Sequence, residues 1–149
     1  MRSLYDSDTF DEALSRIDSL NSDSQPGWGK MNAAQMLAHC AEVQEVSNGK
    51  ALSGSSWILK LFKGVIRKMV VGPKPYPHSL GTHPQYVIAD ARDFTRERDR
   101  LLAALNVLRE AGPDRAGEVF HALFGTMTAA ERGGSMFKHL EHHLIQFGA

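Results

Sequence analysis

The chain has 149 residues, 42% of them hydrophobic, and Lys plus Arg (17) equals Asp plus Glu (17). That length fits one domain, 1–149, able to bury a core without staples, and the balanced charge gives no sign of a nucleic-acid polyanion as the main partner. The single cysteine, Cys40, excludes an internal disulfide and fits a reducing cytoplasm. No run approaches the roughly 20 apolar residues of a transmembrane segment, and MRSLYDSDTFDEAL has no apolar h-region, so no signal peptide is expected.

Thr9-Phe10-Asp11-Glu12 reads as a capping box, followed by Phe10, Leu14, Ile17 and Leu20 at helical spacing, which predicts a first helix over 9–20. NSDSQPG (21–27) is turn chemistry, with Trp28 just beyond it and expected to pack against the next helix. Asn32 with Gln35 at N3 starts a second helix that Asn48-Gly49 stops, its apolar stripe being Met36, Cys40, Val43 and Val46.

WILKLFKGVIRKMVV (57–71) is amphipathic. Ile58, Leu61, Phe62, Val65 and Met69 face one way, and Lys60, Lys63, Gly64, Arg67 and Lys68 the other. It reads either as a membrane-surface helix or as a flank packed on the rest of the protein. GPKPYPHSLGTHP breaks regular structure with its prolines, and THPQYVIAD is the one short strand candidate. A third helix is expected from near Asp90 to Gly112-Pro113, burying Phe94, Leu101, Leu105 and Leu108. Thr128-Ala129-Ala130-Glu131 is a second capping box, opening a fourth helix to about Phe147. Gly133 and Gly134 weaken its first turns by roughly 1 kcal/mol each relative to Ala. Four main helices and one long crossover give an all-α, four-helix-bundle reading.

HLEHHLIQF (139–147) holds three of the chain's seven histidines. With His139 at zero on a helical wheel, the apolar Met136, Leu140 and Phe147 fall near about 60°, 100° and 80°, and His143 at about 40°. His142 falls at about −60°, toward solvent or a neighbour. On the second helix His39 lies inside the apolar stripe. Alone it would be an ordinary core histidine. With the i, i+4 pair His139 and His143, three imidazoles face one interior, which is costly without partners. A divalent cation removes that cost, and three neutral nitrogens leave coordination positions open.

WGKMNAAQMLAHCAEV (28–43) and HALFGTMTAAERGGSMFKHLEHHLIQFG (121–148) resemble the DinB-like four-helix bundles, in particular a domain-of-unknown-function branch of them. The resemblance implies an up-down-down-up bundle with its long link between helices two and three. It also implies a metal triad of one histidine from helix two and an HxxxH pair from helix four, here His39, His139 and His143. Zinc or nickel, a homodimer, and activities including thiol S-transfer with low-molecular-weight thiols, a mycothiol-dependent isomerisation and hydrolysis are implied as well. The chain departs from the common HRGQ ending, having His143-Leu144-Ile145-Gln146, and carries Arg132-Gly133 where a tryptophan is expected. Those departures leave the ligands in place and remove support for any particular thiol.

Gln146, about 20° from His139, could orient a ligand or a bound water, or be an ordinary helix-end residue. His121 sits in the linker to the fourth helix, either reaching the pocket rim or serving as a structural or exposed loop residue. His142 is left on the surface or behind the ligands. Cys40 is read as a small core residue, and Glu42 is not assigned as a base. Two functions remain: a metal-dependent enzyme acting on a small-molecule substrate through an activated water or thiol, as a transferase or hydrolase, or a non-catalytic metal-binding or partner-binding helical module.

Overall fold

The computed structural model describes residues 1–54, 62–78 and 80–149. Among them are five α-helices and no strand: α1 Ser7–Asp18, α2 Ala33–Ser47, α3 Lys63–Val71, α4 Phe94–Ala111 and α5 Ala129–Gln146. None is long and apolar enough to cross a membrane. The all-α helical bundle expected from the periodicity is the architecture observed, with the crossover running from α2 through α3 to α4.

Helix α2 is the axis of the packing. Thirteen of its 15 residues are buried, not only the stripe at Met36, Cys40, Val43 and Val46. Ala33, Ala34, Ala38 and Ala41 are small enough to let neighbours close on several sides, as a helix apolar all round requires. It packs chiefly on α4 and also on α5, meeting Leu101, Leu105, Leu108, Met136, Phe137, Leu140 and Leu144 in one core. The two anticipated boxes at Asn32/Gln35 and Thr128/Glu131 both form, each side chain bonding the other's backbone N–H. They set the start of the two helices that carry the interior histidines.

The box expected at Thr9 does not form. Helix α1 begins at Ser7 after Asp6, and Thr9 is buried inside it. Helix α4 begins at Phe94 rather than near Asp90, because the Asp93 carboxylate accepts the Arg96 N–H at 2.7 Å and fixes the start there. THPQYVIAD is not a strand: His83 caps a 3-10 turn over Pro84–Tyr86, which the proline at the first position favours.

Gly133 and Gly134 are placed where the N-terminal segment crosses α5. Leu4 N–H donates to Gly133 O at 3.2 Å. A Cβ on Gly133 would overlap Ser3 Oγ and stand 2.6 Å from the Tyr5 ring. The glycines admit the N-terminal segment to the helix backbone, a requirement that outweighs their poor helix propensity.

The amphipathic 57–71 segment is described from Phe62 onward, so Ile58, Lys60 and Leu61 lie outside the described residues. Helix α3 packs against α5 as a flank, with a face rotated from the one expected. Ile66, Met69 and Val70 turn inward, while Val65 is 68% exposed. Two ties fix that rotation. Arg67 pairs with Glu131 at 2.7 Å, and the Lys138 ammonium donates to the Met69 and Gly72 carbonyls at 2.7 Å, occupying acceptors that a helix C-terminus leaves free.

Candidate functional site

His39 projects from α2 toward His139 and His143, which stand one turn apart on α5. Their ligand-capable nitrogens all lie within 4.8 Å of one another, and His39 Nε2 is 3.1 Å from His139 Nε2. The three imidazoles therefore form a group that could hold a metal ion.

The hydrogen bonds behind the rings fix which nitrogen faces inward. His39 Nδ1 is 2.7 Å from the Tyr86 carbonyl oxygen. A carbonyl only accepts, so Nδ1 carries the proton and Nε2 presents a bare lone pair. His143 Nδ1 is 2.8 Å from Gln146 Oε1. The orientation of that amide is set in turn by Gln146 Nε2, which donates to the Trp28 carbonyl at 2.6 Å. Gly27 N–H donates to the Gln146 carbonyl at 2.7 Å, so the 27–29 loop grips this residue twice. His143 Nδ1 is thus the donor, and its Nε2 lone pair is also free. His39 Nε2 has no proton to give. Its approach to His139 is either a bond donated by His139 Nε2 or a gap that a cation fills by drawing on both lone pairs.

Burial is the main cause keeping these rings neutral, and mutual repulsion adds to it. His39 is held below its ordinary value by burial, against the Tyr86 bond. His139 is pushed well below it by burial and by the charge that His143, His39 and His142 would carry. His143 is pushed down to about 3 by burial and His39, against the bond to Gln146. Neutral imidazoles with fixed tautomers are the state in which histidine binds metals.

The group opens on a cavity of about 820 Å³ lined mainly by apolar side chains, including Val43, Ile66, Met69, Phe124 and Met136. Six of the chain's seven histidines line it: His39, His83, His121, His139, His142 and His143. No Asp or Glu is among the described lining residues, and Lys30 is the one charged side chain there.

His142 is half-buried at the rim, edge-on to Trp28 at 5.7 Å and to Tyr76 at 5.8 Å between ring centroids. His78 stacks on Trp28 at 3.9 Å. His121 is 3% exposed, so the reading of it as an exposed loop residue is corrected. Its Nδ1 accepts the Leu123 and Phe124 N–H groups, and its ring stacks on Phe124. The loop carrying it is held by Arg132, 2% exposed, which donates to the carbonyls of Ala116, Ser47 and Val119. Arg132 thus occupies its position in α5 as a loop anchor. Cys40 is buried in the core, its thiol pushed up by burial, and is no ligand. Glu42 is turned away from the cavity, bonded to Lys50, Gln85 and Arg100. Sequence reasoning did not single out His83, Tyr76, Tyr86 or His78. They lie on the crossover, where no periodicity marks which way a side chain points.

Residues 7–147 match the family profile described as the DinB superfamily. No curated protein and no solved structure gives a significant match to the chain. The profile spans nearly the whole sequence, including both histidine-bearing helices, and the chain belongs to the DinB superfamily.

Proposed function

We infer that this chain is a metal-dependent enzyme in which His39, His139 and His143 hold a divalent cation, zinc or nickel, and a small-molecule substrate reacts in the adjoining cavity by thiol transfer or hydrolysis. The observation that carries the reading is the pair of outward bonds, to Tyr86 and Gln146, that leaves His39 and His143 with Nε2 lone pairs turned to one point. When bound, the cation supplies Lewis acidity that makes a neighbouring water or low-molecular-weight thiol a better nucleophile at neutral pH.

The chain's own residues supply the rest. Gln146 and the Tyr86 carbonyl orient two ligands. A neutral three-nitrogen donor set leaves the ion's charge uncompensated, which favours an anionic nucleophile beside it. The apolar walls exclude bulk water and strengthen that electrostatic effect. The single cysteine supports a cytoplasmic setting, and the family resemblance supports a homodimer.

Zinc and nickel titration of protein purified without a His tag is the test. About one equivalent is expected to bind, with loss of binding in His39→Ala and His139→Ala; no bound metal ends the proposal. A non-catalytic metal-binding module is the second reading, favoured by the lack of a carboxylate among the described cavity residues. Metal binding without turnover in thiol-transfer and hydrolase screens would select it.

A further inference from the structure

Between Glu45 and Asp90 the chain carries six basic side chains, Lys50, Lys60, Lys63, Arg67, Lys68 and Lys74, and no Asp or Glu. The remainder holds 11 Lys and Arg against 17 Asp and Glu, so a chain that is neutral as a whole is sharply divided in charge. Lys50 is neutralised by Glu42 and Glu45, and Arg67 by Glu131. Lys60 lies outside the described residues. Lys63, Lys68 and Lys74 are exposed and form no ion pair among the described residues.

Apolar side chains, not acids, accompany these lysines. Eight large hydrophobic side chains are exposed among the described residues, and four of them, Phe62, Val65, Leu80 and Val87, fall in this one segment. Phe62 and Val65 are 52% and 68% exposed. They stand three residues apart at the start of α3, with Lys68 three residues further on, so the three share one ridge. Ile66, Met69 and Val70 turn to the cavity, which leaves that ridge on the outer side of the helix.

Basic and apolar groups on one surface match the boundary of a bilayer. Lysines there meet lipid phosphates and carboxylates, and apolar side chains enter the acyl edge. The phosphates of a nucleic acid would satisfy the lysines and give the aliphatic side chains nothing. A second copy related by a two-fold axis would set this segment against itself, with like charges facing and no carboxylate in the segment to relieve them. We propose that the outer face of the crossover, built on Phe62, Lys63, Val65, Lys68 and Lys74, docks on the surface of an anionic lipid bilayer, a role independent of the three-histidine site.

The test is flotation with vesicles of phosphatidylcholine alone and of phosphatidylcholine and phosphatidylserine in equal parts. Wild type is expected on the mixed vesicles at low salt and off the neutral ones, with binding weakened as salt rises. Each lysine at such a surface is worth about fivefold in lipid affinity, so Lys68→Gln should lose about fivefold, and Lys63→Gln, Lys68→Gln and Lys74→Gln together about a hundredfold. Phe62→Ser with Val65→Ser should weaken binding while every charge is kept. Arg96→Gln removes an exposed charge from α4 and should leave binding unchanged. All these positions lie on the surface, and urea midpoints equal to wild type show that the variants fold. Equal binding to the two vesicle types, no binding to either, full binding by either multiple variant, or an equal loss in Arg96→Gln and Lys68→Gln overturns the proposal. Self-association of wild type without lipid that the triple variant loses, or tighter binding to single-stranded RNA than to the mixed vesicles, overturns it as well.

Discussion

Gln146 and His143 are joined by a 2.8 Å hydrogen bond whose direction is set from outside the pair. The Trp28 carbonyl takes the amide N–H at 2.6 Å, leaving only the amide oxygen to face the imidazole. Gln146→Leu keeps the volume and deletes both bonds. Metal affinity is expected to fall about 10- to 100-fold, as for other groups that orient a ligand, read by competition with a zinc chelator. Gly29→Ala acts in the same direction. Its φ is +85°, and a Cβ there would stand 2.7 Å from Gln146 Nε2. An affinity unchanged in both variants removes Gln146 from the site.

The two glycines of α5 separate propensity from packing. Gly133→Ala gains helix propensity of roughly 1 kcal/mol but drives a methyl into the Tyr5 ring and Ser3. Overpacking of that kind costs about 1–3 kcal/mol, so a net loss is expected in urea unfolding. Gly134→Ala meets the flexible end of Met1, which can move aside, and is expected to be neutral or slightly stabilising. Equal effects at the two positions would refute the close-approach explanation.

Acid destabilises the metal-free protein through its buried rings. His143 and His121 titrate near 3 and 4 in the folded chain, against an ordinary 6.5, burial being the main cause in both. The unfolded chain therefore binds more protons between those values. The stabilisation is complete above about pH 6.5 and drains away as pH falls toward 4 and then 3. Each such ring contributes a slope of about 1.4 kcal/mol per pH unit within its window. Urea midpoints at pH 7, 6 and 5 in chelator should fall in wild type, and less steeply in His121→Asn. A flat profile contradicts the assignment.

Arg132 satisfies three backbone carbonyls and pairs with no carboxylate among the described residues. Arg132→Met strands those acceptors, costing ~3 kcal/mol. Faster hydrogen exchange is expected at the His121 and Gly125 amides, which pair with each other's carbonyls in the same loop. Arg132→Lys should not rescue it, because one ammonium lacks the planar fork that spans the acceptors. Full stability in either variant would show the loop to be self-supporting.

The sequence made some of this legible and hid the rest for physical reasons. Helical phase alone placed His39, His139 and His143 on one interior, because 100° per residue is enforced by the backbone itself. The boxes at Asn32 and Thr128 were readable for the same reason: their partners are three residues away. Thr9 carried an identical local pattern and failed, because the chain before it was already helical from Ser7. His83 and Tyr86 could not be placed from the sequence. Their positions depend on Gln85 reaching Glu42, 43 residues earlier, a contact that no local period encodes. The face of α3 was misjudged because Lys138 and Arg67, rather than its own apolar residues, decide how it lies.

The bond from His39 to the Tyr86 carbonyl joins one candidate ligand to the backbone of the crossover. An ion captured at Nε2 withdraws electrons from the ring and makes its other N–H a stronger donor, so that carbonyl is held more firmly. Thermodynamic reciprocity would then work in both directions: loading an ion would quiet the segment around Tyr86, and anything that clamped that segment from the chamber would raise the grip on the ion. Were an ion held at the histidines, cargo in the cavity and charge at the site would be coupled through a single peptide oxygen.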